Sequence, residues 1–158
     1  MNQDYSHPQR KTKVVFVQLG SPSEPTTKAL RKYLRKFLGD PRVVDINPWL
    51  WKIILNFFVL PFRPKKSAKL YARIWDGESF PLITNTKNFT NNVAEELKKI
   101  DPKGYVEVNH AFLLSPPYVN EVYDSWEDDL KKGIGATKLL VIPMFPQYSE
   151  STIASGID

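Results

Sequence analysis

Val14-Val15-Phe16-Val17, followed by Gln18-Leu19-Gly20, is the stretch whose reading decides the fold. Four consecutive apolar residues, three of them β-branched, make a run too short for a buried helix. They read as a strand covered on both faces and ended by a glycine. Beyond the turn Ser21-Pro22-Ser23, from about Thr26 to Leu38, residues Leu30, Tyr33, Leu34, Phe37 and Leu38 recur at helical spacing, with Lys28, Arg31, Lys32, Arg35 and Lys36 elsewhere. Gly39 and Pro41 stop that helix.

Further out, Asn47-Pro48 reads as an N-cap with proline at the first helical position, opening an apolar segment that Pro61 is expected to end. Leu70, Tyr71 and Ile74 suggest another helix around Ser67 to Trp75, and Phe89, Val93, Leu97 and Ile100 define an amphipathic one. Asp101-Pro102-Lys103-Gly104 turns the chain into a second strand, Tyr105 to Phe112. Val119, Val122, Trp126 and Leu130 form the core stripe of the next helix, and Lys138 to Pro143 is a third strand. Strands alternating with helices imply an α/β fold, a parallel sheet with helices on both faces. In such sheets ligands bind where the loops leave the carboxyl ends of the strands, which directs attention to Gln18–Ser23, Leu113–Pro117 and Phe145–Ser155.

Composition sets limits around this reading. The chain has 158 residues, 42% apolar and 25% charged, which is ordinary globular usage for one domain. Cysteine is absent, so disulfides, thiolate zinc sites and cysteine-ligated iron–sulfur clusters are excluded within it. A formal net charge of +5 favours anionic partners without choosing among them. Residues 1–12 are polar, lack the apolar core of a secretory signal, and read as a flexible lead-in to a domain covering 13–158. The apolar run Trp49 to Leu60, interrupted by Lys52 and Asn56, falls well short of the roughly 20 residues that span a bilayer. Bordered by Arg63, Lys65 and Lys66, its Trp49, Trp51, Phe57 and Phe58 either rest on anionic headgroups or form buried core, and both readings stand.

Four phrases carry a resemblance. Val17-Gln18-Leu19-Gly20-Ser21-Pro22 resembles the strand-to-loop phrase that opens ferrochelatases, and Tyr33 to Val44 continues in that family's order. Leu60 to Tyr71 with Ile74-Trp75 looks like the family's active-site lip and the helix after it. Pro146-Gln147-Tyr148-Ser149 with Ser151-Thr152 is similar to the loop after the third strand. Together they extend over nearly everything from Lys13 to Asp158.

The resemblance implies one of the two similar flavodoxin-like halves of a chelatase, with a porphyrin held in the cleft between them. It implies a ferrochelatase, a lyase-type enzyme of haem biosynthesis that inserts ferrous iron into protoporphyrin or a related porphyrin, with iron as substrate and no cofactor. By the same carry-over Leu19 lies against the macrocycle, Arg63 pairs with a propionate, Tyr71 lines the lip, and Tyr148, Ser151 and Thr152 sit on the cleft wall. Read without it, Leu19 and Tyr71 are packing residues, Arg63 belongs to a solvated basic loop, and Ser151 and Thr152 cap a helix. The expected partners are the porphyrin and a C-terminal half missing beyond Asp158; no nucleic acid is expected. The expected location is the cytoplasm, with peripheral contact to a membrane as the surface reading of Trp49–Leu60.

Two places depart from the family pattern. Phe80 stands before Pro81 where bacterial relatives usually carry serine, and Phe112-Leu113-Leu114 replaces a polar phrase with an aromatic hydroxyl, changes expected to make the cleft more apolar. Metal insertion needs a base for the pyrrole protons and a ligand that delivers a divalent ion. In this family those belong to the second half, so no catalytic or metal-ligating residue is expected in this chain and the chain alone is expected to be inactive. His7 lies in the lead-in, and His110 sits in a strand without an acidic or histidine partner at ligand spacing. Two alternatives remain open: an inactive tetrapyrrole-binding or interaction module, and a half-length chelatase completed by dimerisation.

Overall fold

A computed structural model describes residues 11–145. Three strands, β1 (Thr12–Gln18), β2 (Val106–Phe112) and β3 (Lys138–Pro143), form one parallel sheet in the order β2-β1-β3. Thr12 lies opposite both Val106 and Lys138, so all three strands start level. The order matches the first three positions of the flavodoxin-like sheet, and the α/β architecture is that of one half of a chelatase of the kind the sequence resembles.

Side-chain alternation along β1 splits the core. Val15 and Val17 point to the face where Ala111, Leu139 and Val141 meet Val119 and Val122 of helix α5 (Val119–Lys131). Phe16 points to the opposite face, where its ring meets Phe89 of α4 (Pro81–Ile100) edge-on at 5.1 Å. Helices therefore cover both faces, as the pattern implies. α4 buries two threonines, each with its hydroxyl turned back on the helix: Thr86 Oγ1 donates to the Leu82 carbonyl at 2.7 Å and Thr90 Oγ1 to the Thr86 carbonyl at 2.9 Å. With its donor satisfied, each threonine packs as an apolar residue of similar size.

A second core lies among the helices between β1 and α4. α1 (Thr27–Gly39) begins where Thr26 Oγ1 accepts the Ala29 amide at 3.2 Å. It buries Leu30, Tyr33, Leu34 and Leu38. α2 (Pro48–Ile54) opens with the expected Asn47 cap, whose side-chain oxygen accepts the Trp49 and Leu50 amides. It does not stop at Pro61. A π-helical turn, Leu55–Val59, carries the chain directly into α3 (Leu60–Tyr71). The Leu60 amide donates to the Leu55 carbonyl, ending one hydrogen-bond ladder, so Pro61 falls in the first turn of the next, where a missing N–H costs nothing.

That turn also sets what faces inward. Leu55 and Leu60 join Tyr33, Leu34 and Leu38 in the core, and Trp51 packs beside them. Trp49, Phe57, Phe58 and Phe62 are 79%, 70%, 66% and 72% exposed, so the segment divides between the two readings the sequence allows: Trp51 packs inward and the other aromatics face out. Leu70 and Ile74, whose spacing suggests a helix around Ser67 to Trp75, are more than half exposed; α3 ends at Tyr71 and its buried side runs through Leu60, Pro64 and Ala68. No helix of the described residues is long and apolar enough to cross a membrane.

Candidate functional site

The loops leaving the carboxyl ends of the strands are laced together. Gln18 Nε2 donates to the Met144 carbonyl at 3.2 Å, and the Leu113 and Leu114 amides donate to the Gln18 and Leu19 carbonyls, each at 3.0 Å. The Ser21 amide donates to Ser115 Oγ at 3.3 Å. Gly20 has φ +93°, and a Cβ there would run into Ser115 Oγ, so only glycine lets the first loop press against the second. Leu19 is thereby held half-buried at the rim of the sheet.

Tyr33 joins this turn to the end of α3. Its hydroxyl donates to the Gly20 carbonyl at 3.3 Å, and its ring lies 6.5 Å from that of Tyr71. Tyr71 meets Phe80 edge-on at 5.4 Å, and Phe80 meets Trp75 at 4.6 Å. Burial raises the pKa of both phenols; for Tyr71 the charge of Arg63 opposes that rise, and for Tyr33 the neighbouring Tyr71 adds to it. Both hydroxyls are therefore neutral near pH 7. Arg63 stands exposed on α3, about two turns before Tyr71, in no ion pair among the described residues.

The structure thus brings Leu19 and Tyr71 to one region through Tyr33 and leaves Arg63 free on the same helix as Tyr71. Tyr148, Ser151 and Thr152 lie outside the described residues. Phe80 and Phe112 correct the expectation of a more apolar open cleft: they are 2% and 0% exposed, Phe80 beneath Tyr71 and Trp75 and Phe112 at the end of β2. Both are packing residues in this chain. Next to Phe80, Ser79 gives its amide to Asp76 Oδ1 at 2.6 Å and closes the turn before α4. His110 is half-buried with its ring 5.6 Å from Phe112, and burial, reinforced by the Lys87 charge, lowers its pKa. No group of three histidine, cysteine or acidic side chains capable of holding a metal ion occurs among the described residues.

Sequence reasoning passed over two members of the site. Tyr33 fits the apolar stripe of α1 so well that it reads as core, yet a buried phenol needs a partner for its hydroxyl, and the glycine phrase supplies it. Ser115 carries no periodic signal; only its place in Leu113–Pro117, opposite Gly20, marks it. Chemically, a leucine at a strand end, two shielded phenols and an unpaired guanidinium suit an apolar ligand face that bears an acidic substituent.

The Ferrochelatase family model matches residues 11–158. A ferrochelatase of Francisella tularensis subsp. tularensis is 38% identical over 159 residues, covering 99% of this chain and 44% of the relative. One of Idiomarina loihiensis is 41% identical over 155 residues, covering 98% of this chain and 41% of the relative. The chain spans less than half the length of these curated relatives. Matched by the family from residue 11 to residue 158, and by these relatives along nearly all of its length, the chain belongs to the ferrochelatase family.

Proposed function

We propose that this chain supplies the N-terminal part of a ferrochelatase, which inserts ferrous iron into protoporphyrin or a related porphyrin. The observation that carries the reading is the convergence of Leu19, Tyr33 and Tyr71 at the carboxyl end of the sheet, in a chain matched by the family over residues 11–158. Iron is a substrate here. The groups that take pyrrole protons and deliver the metal belong, in this reading, to sequence that follows the matched part of the relatives.

The work of this chain is to bind and orient. Leu19 offers an apolar contact to a macrocycle face, and the neutral Tyr71 offers a wall that adds no charge against an apolar ring. Arg63 grips a propionate, since a guanidinium pairs with a carboxylate through two parallel hydrogen bonds. Tyr33 touches no substrate; it fixes the Gly20 carbonyl and so the position of Leu19. The exposed Trp49, Phe57 and Phe58 beside Lys65 and Lys66 support a peripheral contact with an anionic membrane surface, from which an apolar porphyrin would be drawn.

The test is an anaerobic ferrous-insertion assay on the protein at its natural length, comparing wild type with Arg63→Ala and Leu19→Asp. Loss of a charged hydrogen bond worth about 1.5–3 kcal/mol raises the KM for porphyrin roughly ten- to a hundredfold in Arg63→Ala. Absence of iron insertion by the wild type with any porphyrin dicarboxylate overturns the proposal.

A further inference from the structure

A cavity of about 610 Å³ lies away from that site, between the C-terminal end of α1, residues 40–47 and α2. Neither Leu19, Arg63 nor Tyr71 lines it. Its wall is apolar, formed by Val44, Ile46, Trp51 and Leu55, and its cations are Arg35 and Lys52, both exposed and neither ion-paired among the described residues. No carboxylate is among the described residues that line it. The indole of Trp51 is fixed, because its Nε1 donates to the Leu38 carbonyl at 2.6 Å. Asn56 Nδ2 is tied to the Lys52 carbonyl at 2.7 Å, which holds the wall in shape where the π turn begins. The two hydrogen bonds hold one wall of a space that is open to solvent on one side and whose size falls in the range of about 300–1,000 Å³ typical of small-molecule sites.

From this geometry we infer that the cavity binds a single long-chain carboxylate. Apolar walls take the chain and Arg35 with Lys52 takes the headgroup, the pairing a guanidinium favours. A second groove of about 460 Å³, lined by Trp49, Ile53 and Phe57, shares Lys52 and Asn56 with the cavity. The groove extends the apolar path outward, so that a chain longer than the cavity continues over the exposed aromatics. A cationic amphiphile of the same length meets two like charges in the lining, whereas Asp40 and Asp45 of the flanking segment stand outside it. The cavity itself uses none of Leu19, Arg63 and Tyr71; only the groove residues Trp49 and Phe57 are shared with the proposed membrane contact.

The experiment is a calorimetric titration with octanoate, decanoate and dodecanoate, each below its micellar concentration. The expected result is saturable 1:1 binding that tightens about fourfold per added methylene, with dodecylammonium at least tenfold weaker than dodecanoate. Ile46→Trp, a filling substitution at a 43% exposed residue, weakens dodecanoate at least tenfold without moving the unfolding midpoint. Charge reversal by Arg35→Glu with Lys52→Glu, at exposed positions that do not threaten the fold, inverts the preference toward dodecylammonium. Equal binding of the two amphiphiles, or dodecanoate binding indifferent to Ile46→Trp, overturns the inference. So does competitive displacement of dodecanoate by protoporphyrin, which would make the cavity a porphyrin subsite. Loss of binding to phosphatidylglycerol vesicles in Ile46→Trp, with monomeric dodecanoate binding unaltered, would assign the cavity to membrane lipid and equally overturn it.

Discussion

Arg31 Nε donates to the Leu60 carbonyl at 3.2 Å, the acceptor that residue 64 would serve in an unbroken helix and that Pro64 cannot. The arginine of α1 thus closes the gap that a proline opens in α3, and it fastens the helix carrying Arg63 and Tyr71 onto the core. Arg31→Met, which keeps the aliphatic stem, should cost about 1–3 kcal/mol in denaturant unfolding by leaving that carbonyl unpaired. In a Pro64→Ala background the helix regains its own donor, and the cost of Arg31→Met should shrink by at least half. Equal costs in both backgrounds would show that the arginine acts by packing alone.

Tyr33→Phe removes the donor to the Gly20 carbonyl and should destabilise by about 1–2 kcal/mol. Gly20→Ala forces a Cβ into Ser115 at positive φ and should cost about 1–3 kcal/mol for the backbone alone, with further cost from the clash. Equilibrium unfolding of the two variants checks the order, with Gly20→Ala the worse.

Protonation of His110 should weaken the fold in acid. Its pKa is lowered by burial first and by Lys87 second, so the folded protein holds fewer protons than the unfolded chain. The stability is complete above the unfolded value of about 6.5 and is lost as pH falls through the folded value. Tyr33 and Tyr71 act with the opposite sign: both are raised, so their contribution is complete below about pH 10 and is lost above it. Unfolding free energy measured from pH 4 to 11 should decline at both ends, and His110→Asn should flatten the acid limb only.

How much of this was legible in the sequence follows from what each signal measures. The strands of the sheet could be read from short apolar runs rich in β-branched residues, and the helix start at Asn47 because capping is local chemistry. Pro61 misleads because a proline normally ends a ladder, whereas here a π turn has already ended it. Leu70 and Ile74 mislead because spacing reports a face without saying whether anything covers it. In the site, the family phrases lead to Leu19, Arg63 and Tyr71, but the Tyr33 hydroxyl and the Ser115 contact join residues far apart in the chain. The cavity beside Trp51 has no sequence signature, since it is a space between elements.

The exposed aromatics offer a test of the membrane contact. Trp49, Phe57 and Phe58 are 79%, 70% and 66% exposed, with Lys65 and Lys66 exposed nearby. Co-sedimentation with vesicles containing phosphatidylglycerol should exceed that with neutral vesicles, and replacing the three aromatics by serine should lower it at least tenfold, since each buried ring contributes about 1.5–3 kcal/mol. Equal sedimentation with both lipids would remove the surface reading.

The central claim, that this chain forms one wall of a porphyrin cleft, is tested most directly by a porphyrin fluorescence titration on the 158-residue chain followed by addition of ferrous iron. One arginine–carboxylate contact contributes about 1.5–3 kcal/mol, against an association penalty of about 4 kcal/mol or more, so binding should be weak. Saturable quenching is expected with a dissociation constant well above micromolar, weakened further by Arg63→Ala and Leu19→Asp, and with no iron insertion. Iron insertion by the isolated chain, or quenching indifferent to both substitutions, would contradict it.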